Sequence, residues 1–288
     1  MFVAGNQIDR DRSWFSEVRT MADRVVLITG ATNGVGRVVA ERLGEQGWHV
    51  LAHGRDRTRG EQVVRAIAAR GGSARFHEAD LSALSAVRRL AEEVMENHPS
   101  LNLLINNAGV GFGRPNAGRE QSADGLELRF AVNYLAPFQL THRLLPALLE
   151  GAPSRIVNVA SIGQQELDFD DLQMMRRYSG VDAYRRSKLA LIMFTFDIAA
   201  ELQRLGVAVN ALHPATFMDT FMVHEAGGQP MSTVDEGADA IMNLAVGDLH
   251  GRTGEYFDQQ RPARALRQAY DPQARERLRQ ISNELTAR

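Results

Sequence analysis

The chain reads VVLITGATNGVG over residues 25–36. The first five of these residues are apolar or β-branched, as in a buried strand, and the apolar-periodic stretch after the last glycine indicates a helix. Glycines permit a tight turn between the two and let the backbone at the helix start approach a phosphate, whose charge the free N–H groups stabilise. The stretch therefore predicts a strand–turn–helix unit that binds the pyrophosphate of a dinucleotide. A plain strand–helix turn without a ligand is the alternative.

The alternation of strands and helices continues through the rest of the chain. Further apolar strands are predicted at residues 49–52, 74–77, 101–105, 155–159, 208–212 and 254–257. Helices are predicted at residues 62–70, 82–97 with Ser82 as its cap, 122–149, 181–205 and 272–285. Apolar strands separated by helices indicate a parallel sheet covered on both faces. We therefore predict an α/β fold, a single-domain doubly wound Rossmann-type sheet of about seven parallel strands with helices on both faces.

Domain boundaries follow from the same pattern. No linker or change in composition divides residues 24–270, so residues 21–288 are expected to form one NAD(P)-binding domain that carries the catalytic site. Residues 1–20 hold several charges and no apolar block, so a poorly ordered or loosely packed N-terminal arm is expected there rather than a secretory signal. A translation start at Met21 is the alternative explanation of these residues.

Composition narrows the class of function. The chain has 288 residues, with 33 Lys or Arg against 35 Asp or Glu and a net charge of −2, which argues against a large nucleic-acid interface. It has no cysteine, which excludes a disulfide framework and a thiol nucleophile, and no His spacing indicates a metal site. No apolar stretch approaches the roughly 18 to 20 residues of a membrane span. We therefore expect a cytoplasmic protein with no metal, no nucleic-acid partner and no membrane span.

Tyr184 and Lys188 are four residues apart in a predicted helix and so share one face. Lys188 is the only lysine among the 33 basic residues. A tyrosine titrates near pH 10, and moving that pKa to neutrality requires roughly 4 kcal/mol, part of which a nearby ammonium supplies. Such a tyrosine exchanges a proton with a carbonyl or alcohol oxygen. Ser161 follows the strand at 155–159, where its hydroxyl can hydrogen-bond a developing oxyanion. A surface helix and a strand-end serine are the alternatives.

Three motifs occur in a characteristic order. They are T-G-x-x-x-G-x-G from Thr29, N-N-A-G from Asn106 and Y-x-x-S-K from Tyr184. Together they resemble the short-chain dehydrogenase/reductase family over about residues 22–260. The 23-residue spacing from Ser161 to Tyr184 resembles the branch that contains retinol dehydrogenases and protochlorophyllide reductase. The extra residues, 163–182, are expected to form either a lid over an apolar substrate or an inert surface excursion.

The resemblance implies roles for four residues. Tyr184 would be the acid/base, Lys188 would also hold the nicotinamide ribose, and Ser161 would contact the substrate oxygen. Asn133 would hold a water that relays protons to Lys188. Pro137 supports this assignment, because a proline lacks the N–H that the carbonyl of Asn133 would bond in a regular helix. A tolerated kink in an ordinary helix is the alternative.

The cofactor follows from the end of the second strand. An NAD enzyme normally places an acidic residue there, but Gly54 occupies that position and Arg55, whose guanidinium suits a phosphate, comes next. We therefore predict NADP(H) as the cofactor, with NAD(H) as the alternative. The alternative explanation of Arg55 is that it belongs to a charged, solvated loop without a ligand. The expected cofactor-binding residues are Gly30, Thr32, Asn33, Gly34, Val35, Gly36, Arg55, Asp80, Leu81, Asn107, Ala108, Gly109, Tyr184, Lys188, Pro214 and Thr216.

The function predicted from the sequence is an NADP-dependent carbonyl reductase or alcohol dehydrogenase. Its partner is expected to be a small, apolar carbonyl or alcohol substrate, with the Met- and Phe-containing residues 217–231 as a second wall of the site. The same chemistry with NAD and a non-catalytic dinucleotide-binding sensor are the alternatives. The resemblance also suggests a homodimer or homotetramer formed through the long helices, although some family members are monomers.

Overall fold

A computed structural model of the protein describes residues 24–115 and 117–287. The predicted arm at residues 1–20 lies outside these residues, and the domain boundary at residue 21 stays a prediction. All the strands described form one sheet in the order β3-β2-β1-β4-β5-β6-β7-β8. The strands are β1 Val25–Ile28, β2 His49–Gly54, β3 Ser73–Glu78, β4 Leu103–Asn106, β5 Ser154–Val159, β6 Val207–His213, β7 Tyr256–Asp258 and β8 Arg261–Ala263.

Strands β1 to β7 pair in parallel, and β8 pairs antiparallel with β7. The predicted α/β doubly wound fold with seven parallel strands is confirmed. The eighth strand was not predicted, because Arg261-Pro262-Ala263 is short and contains no apolar run. The reversal of strand order between β1 and β4 opens a crevice at the carboxyl ends of these strands, where such folds bind their ligands.

Helices cover both faces of the sheet. They are α1 Gly34–Glu45, α2 Arg57–Ala69, α3 Leu84–Asn97, α4 Leu128–Phe130, α5 Ala136–Glu150, α6 Gly180–Arg204, α7 Phe221–Glu225, α8 Val234–Val246 and α9 Pro272–Thr286, with a 3-10 turn at Arg267–Tyr270. Side chains of β1 alternate between the two layers. Val26 and Ile28 pack with α1, α2 and α8, whereas Leu27 packs with α3, α5 and α6. Burial of these apolar faces is the main stabilising term of such a fold.

Several helix starts differ from the sequence predictions. Helix α2 begins at Arg57 rather than at residue 62, because Asp56 caps it by accepting a hydrogen bond from the Arg59 N–H at 3.0 Å. Helix α3 begins at Leu84, and its first N–H is bonded by the distant Asp124 carboxylate at 2.9 Å, so the predicted Ser82 cap is wrong. Local sequence could not show a cap supplied from 40 residues away.

The predicted helix over residues 122–149 is shorter and irregular. It begins at Leu128, where Glu127 accepts a hydrogen bond from the Phe130 N–H at 2.7 Å. A π-helical turn over Ala131–Leu135 then leads into α5. The π turn departs from regular α-helical hydrogen bonding just before Pro137, and the kink predicted around Asn133 stays a prediction. Helix α8 was missed, although Thr233 and Glu236 form a capping box that the sequence pattern could have shown.

Candidate active site

The glycine-rich turn joins β1 to α1 at the crevice. Gly30 and Gly34 adopt positive φ angles of 67° and 53°, which other residues rarely adopt. A Cβ atom on Gly36 would lie 2.4 Å from the Gly30 carbonyl oxygen, so the turn tolerates no side chain there. The side chain of Asn33 caps α1 by accepting a hydrogen bond from the Gly34 N–H at 2.8 Å. The backbone N–H groups at the start of α1 therefore face the crevice without intrahelical partners.

The other predicted residues of this turn have structural contacts. Val35 is buried in the core beside α8. Thr32 packs against the end of β2, since a Cβ atom on Gly54 would lie 2.4 Å from the Thr32 methyl carbon. Their side chains thus shape the turn, which leaves backbone groups as the contacts available to a phosphate.

The N-N-A-G motif ties β4 to the glycine turn. Asn107 Nδ2 donates to the carbonyl oxygens of Thr29 at 2.9 Å and Gly30 at 3.2 Å. The N–H groups of Asn107 and Ala108 both donate to Thr29 Oγ1, at 2.9 and 3.0 Å. Thr29 was not among the predicted site residues, although it begins the glycine motif. A Cβ atom on Gly109 would lie 3.6 Å from Lys188 Nζ, which puts this motif beside one of the predicted catalytic residues.

His53 is a second residue that the sequence analysis missed as part of the site. Its imidazole links two segments on the predicted cofactor side of the crevice. Nδ1 accepts a hydrogen bond from the Gly30 N–H at 3.3 Å, and Nε2 lies 3.1 Å from the Ala79 carbonyl oxygen. Burial lowers the pKa of His53 to about 4, which keeps the ring neutral and able to accept from Gly30.

Ser161, Tyr184 and Lys188 come together at the carboxyl end of β5. All three are buried, with Tyr184 9% exposed. Lys188 Nζ donates to the Val159 carbonyl oxygen at 2.7 Å and lies 5.6 Å from the centroid of the Tyr184 ring. The side chains of Tyr184 and Ser161 share a hydrogen bond. Ser161 Oγ also accepts from the Gly163 N–H at 3.0 Å, which leaves its own proton available to an oxygen acceptor.

Asn133 connects these residues to the loop after β4. Its Oδ1 accepts from the Val110 N–H at 2.7 Å, and its Nδ2 donates to the Val110 carbonyl oxygen and to Ser187 Oγ, both at 3.0 Å. Ser187 Oγ donates to the Tyr184 carbonyl oxygen at 2.7 Å. The side chain of Asn133 is thus used for positioning, and its role in holding a water stays a prediction.

The pKa shifts in the site are dominated by burial. Burial lowers the pKa of Lys188 to about 8, and it raises the pKa of Tyr184, an increase that the hydrogen bond with Ser161 partly offsets. The sequence suggested instead that Lys188 moves the Tyr184 pKa toward neutrality. The difference arises because the Lys188 ammonium is directed at Val159 rather than at the Tyr184 hydroxyl. Tyr184 is therefore protonated at neutral pH and available as an acid.

Apolar side chains cover the Tyr184 ring. The ring of Phe112 packs edge-on against it, with 4.6 Å between ring centroids and an interplanar angle of 80°. Met222 of α7 packs on the neighbouring backbone, since a Cβ atom on Gly111 would lie 2.3 Å from the Met222 Cγ. These contacts form an apolar wall between the acid/base candidate and solvent. Phe112 carried no signal in the sequence, because only the fold brings it to Tyr184.

The residues at the end of β2 fit the diphosphate and adenosine side of a dinucleotide. Of the three arginines there, Arg57 pairs with Glu78 at 3.1 Å and Arg59 with Asp56 at 3.3 Å. Arg55 is exposed, and among the described residues no carboxylate forms an ion pair with it. The Arg55 guanidinium and the free N–H groups at the start of α1 are hydrogen-bond donors of the kind that bind phosphate groups. The chain's own groups therefore fit an NADP-type cofactor.

The remaining predicted cofactor residues lie around the same crevice. Asp80 Oδ1 accepts from the Ser82 N–H at 3.0 Å, so its carboxylate is partly used in the turn after β3, and Leu81 is buried beside it. Pro214 follows β6. The Thr216 hydroxyl lies 3.0 Å from His213 Nε2, so this predicted cofactor-binding group already has a hydrogen-bond partner within the chain.

Residues 163–179, the segment between β5 and α6, are packed onto the body of the protein. Leu167 is buried, and its N–H donates to Gln268 Oε1 at 2.7 Å. Tyr178 bonds Arg129 of α4 at 2.7 Å. These contacts pack the segment against α4 and the 3-10 turn, and whether it acts as a lid over a substrate stays a prediction.

Within residues 24–115 and 117–287, no group of three or more His, Cys, Asp and Glu side chains is arranged to hold a metal ion. None of the helices described combines the length and the apolar character that a membrane span requires.

Comparison with known proteins gives a consistent result. The family model for short chain dehydrogenases matches residues 24–230. Retinol dehydrogenase 14 from Mus musculus is 36% identical over 289 residues, which cover 91% of this chain and 85% of that protein.

Solved structures agree with this match. An uncharacterized protein from Mycobacterium paratuberculosis superposes with a TM-score of 0.76 and 30% identity, over 92% of this chain and 93% of that one. A metagenomic short-chain oxidoreductase in complex with NADP gives a TM-score of 0.65 and 27% identity, over 85% of this chain and 99% of that one.

Proposed function

Because the chain belongs to the short-chain dehydrogenase/reductase family of oxidoreductases, and resembles its retinol dehydrogenase branch, we propose that it is an NADP-dependent carbonyl reductase or alcohol dehydrogenase. Its substrate is an apolar aldehyde, ketone or alcohol. The observation that carries this proposal is the convergence of Ser161, Tyr184 and Lys188 at one end of β5, beside a glycine turn suited to a dinucleotide.

Tyr184 is the proton donor in the reduction direction. A nicotinamide cofactor, when bound, would supply the hydride that reduces a carbonyl carbon. The Tyr184 hydroxyl would give its proton to the carbonyl oxygen, so that an alcohol forms. Burial raises the pKa of Tyr184, which keeps the phenol protonated before the reaction. In the oxidation direction the deprotonated Tyr184 oxygen takes the proton from the alcohol.

Ser161 and Lys188 assist this transfer. The Ser161 hydroxyl is held by the Gly163 N–H and keeps its own proton, which it can donate to the substrate oxygen as negative charge develops there. Burial lowers the pKa of Lys188 to about 8, which is still above 7, so the ammonium form predominates at neutral pH. Its charge stabilises the phenolate that remains after proton transfer, and its N–H groups are available to a ribose hydroxyl.

The preference for NADP rests on Arg55. Its guanidinium is exposed at the end of β2, while the neighbouring Arg57 and Arg59 are engaged with carboxylates. Asp56, the nearest acidic residue, caps α2 and pairs with Arg59, so it is not free to bond a ribose 2′-hydroxyl as in an NAD enzyme. The complex of a related oxidoreductase with NADP supports the same choice.

The apolar nature of the substrate is argued from the side chains around Tyr184. Phe112 and Met222 form the wall next to it. Ile162, the residue after Ser161, is 55% exposed, and Phe221 of α7 is 67% exposed. Exposed apolar side chains at the rim of a site indicate a ligand that covers them.

Two alternatives remain and make different predictions. An NAD enzyme would prefer NADH and would be insensitive to Arg55. A non-catalytic sensor would bind the dinucleotide without turnover, and nothing in sensing requires a buried tyrosine paired with a serine and a lysine. A cytoplasmic location stays a prediction. The state of assembly also stays a prediction, and the homodimer or homotetramer suggested by the family resemblance has a monomer as its alternative.

The proposal is tested by following nicotinamide absorbance with a panel of aldehydes and ketones of different chain length. We expect turnover with NADPH and little with NADH. Replacing Arg55 by Ala removes a charge-assisted contact worth about 1.5 to 3 kcal/mol, so the Kd for NADPH should rise at least tenfold while that for NADH stays constant.

Arg57→Ala is the matched control, because that guanidinium is engaged with Glu78. It should leave the NADPH affinity within about twofold of the parent chain. An unchanged Kd for NADPH in Arg55→Ala would refute the cofactor assignment, and absence of turnover across the panel would refute the enzyme assignment.

A further inference from the structure

A fully buried arginine, Arg129, lies four residues before Asn133 of the proposed site. Arg129 of α4 is 0% exposed. Its Nε donates to the Gly111 carbonyl oxygen at 2.8 Å, its Nη1 to the Tyr178 hydroxyl at 2.7 Å and its Nη2 to Glu120 Oε2 at 2.9 Å. Each of the three nitrogens thus reaches a different segment of the chain, a geometry that the planar guanidinium fork allows and an ammonium does not.

Arg129, Glu120, Glu127 and Tyr178 form a cluster in which the carboxylates compensate the charge of the arginine. Glu127 is 1% exposed, and its Oε1 lies 3.5 Å from Arg129 Nη1 and accepts from the Tyr178 hydroxyl at 3.2 Å. Burial raises the pKa of Tyr178 to about 12, so its hydroxyl keeps its proton. Buried charges give little net stability, because their desolvation offsets their attraction. The cluster therefore calls for a role other than stabilisation.

The cluster fixes residues 163–179 at two points. Tyr178 is held by Arg129 and Glu127, as described. Gln173 Oε1 accepts from the Glu127 N–H at 2.7 Å, and the Gln173 carbonyl oxygen accepts from Arg119 Nε at 2.7 Å. The segment between β5 and α6 is thereby tied to the start of α4.

The cluster also fixes the backbone that carries Phe112. Arg129 holds the Gly111 carbonyl on one side. On the other side Gly180 makes close contact, since a Cβ atom there would lie 2.1 Å from the Phe112 carbonyl oxygen. With both ends of this short stretch held, the Phe112 ring is directed onto Tyr184 at a centroid distance of 4.6 Å.

We propose that Arg129 is a positioning residue that locks residues 163–179 to the loop after β4 and thereby places Phe112 as the wall that selects the substrate. This inference rests on the proposed function, because it assigns Phe112 to the substrate side of that site. The selected class is carbonyl compounds with an extended apolar body, which gain contact with the Phe112 ring. Short aldehydes reach Tyr184 without using this wall.

Tyr178→Phe tests the proposal with the least disturbance, since it removes one hydroxyl and keeps the buried charges paired. Residues 163–179 should loosen, and trypsin should cleave after the exposed Arg176 or Arg177 several-fold faster in the native protein. Tyr270→Phe is the matched control, because its hydroxyl contacts only the surface N–H of Ala265 at 3.1 Å among the bonds described. An unchanged cleavage rate in Tyr178→Phe would overturn the proposal that Arg129 fixes residues 163–179, whatever the activity of the variant.

The kinetic readout separates positioning from a general loss of stability. For a ten-carbon aldehyde, Tyr178→Phe and Phe112→Ala should each raise KM about tenfold and leave kcat within about twofold, while a three-carbon aldehyde is little affected. The double variant should be no worse than Phe112→Ala, since both changes act through one ring. Additive effects, or equal losses for both aldehydes, would overturn the role of Phe112.

Two further measurements complete the test. Arg129→Lys keeps the charge but cannot reach three acceptors, so it should reproduce the effect of Tyr178→Phe if it folds. The Kd for NADPH should stay within about twofold in every variant, because the hydrogen bonds described for Arg129, Glu127 and Tyr178 reach none of the predicted cofactor-binding residues. A parent chain that turns over no aldehyde would defeat the proposed function, whereas the proteolysis result would still decide the lock.

Discussion

His53 shows how a single buried side chain couples the glycine turn to pH. Its Nδ1 accepts from the Gly30 N–H, and its Nε2 reaches the Ala79 carbonyl, so the neutral ring satisfies two backbone groups at once. Protonation of His53 Nδ1 would turn it into a donor that faces the Gly30 N–H, so the hydrogen bond between them would be lost. Burial lowers the folded-state pKa to about 4, from 6.5 in an exposed histidine.

This difference predicts acid destabilisation. A histidine with a lowered folded-state pKa contributes stability above pH 6.5, and that contribution is lost as the pH falls from 6.5 to about 4, because only the unfolded chain binds the proton in this range. The loss attributable to His53 is about 3 kcal/mol. Urea unfolding at several pH values should therefore show a free energy of unfolding that falls steeply below pH 6.5.

His53→Gln isolates this contribution, since an amide can accept and donate without titrating. The slope of its unfolding free energy against pH should be shallower than that of the parent chain by up to about 1.4 kcal/mol per pH unit. His250→Gln, at an exposed histidine, should keep the parental slope. Parallel curves for the parent chain and His53→Gln would contradict the buried neutral ring.

Single residues also show how far sequence reasoning reaches. The proximity of Tyr184 and Lys188 could be predicted because they are four residues apart in one helix. Ser161 could be placed near them because it follows a strand that ends at the same edge of the sheet. His53, Phe112 and Arg129 could not, because each gains its role from partners that only the fold brings near. The direction of the Tyr184 pKa shift was also beyond sequence, since it depends on where the Lys188 ammonium points.

At the scale of elements, α9 covers the outer face of the long helices α5 and α6. Leu278 of α9 is 1% exposed and belongs to the same cluster as Phe138 and Phe194. The Tyr134 hydroxyl and Ser282 Oγ lie 2.6 Å apart, which ties α9 to the π-helical turn. A surface occupied in this way within one chain is not available to a second copy.

We therefore expect the chain to be a monomer in solution, with a mass near 31.8 kDa by light scattering. Leu278→Asp should detach α9 by burying a carboxylate against aromatic rings, expose Phe138 and Phe194, and promote self-association. Gln280→Asp, at an exposed position of the same helix, should leave the monomer intact. A parent chain that elutes as a dimer or tetramer would contradict this account and favour the assembly suggested by the family resemblance.

Element boundaries reveal a second limit of the sequence. The period of apolar residues gave the order of strands and helices, and it gave seven of the eight strands. Helix starts were less accurate where the cap is distant, as for Asp124 at α3, or where a loop such as residues 117–127 carries apolar residues without forming a helix. Turn chemistry and tertiary contacts, rather than periodicity, decide these positions.

At the scale of the whole molecule, the sheet brings distant motifs to one crevice. The glycine turn follows β1, the N-N-A-G motif follows β4, and Ser161 follows β5, so all three lie at the carboxyl ends of neighbouring parallel strands. Helix α6 then carries Tyr184 and Lys188 across that edge. The central claim is that this arrangement performs proton-coupled hydride transfer and does not merely bind a dinucleotide.

Exchange of Tyr184 for Phe tests that claim most directly. The change removes one hydroxyl and keeps the ring that packs against Phe112, so the fold and the cofactor side should be preserved. NADPH oxidation with an accepted aldehyde should fall by about 10²- to 10⁴-fold, the usual contribution of a general acid, while the Kd for NADPH stays within about twofold. Turnover that survives the loss of this hydroxyl would contradict the account.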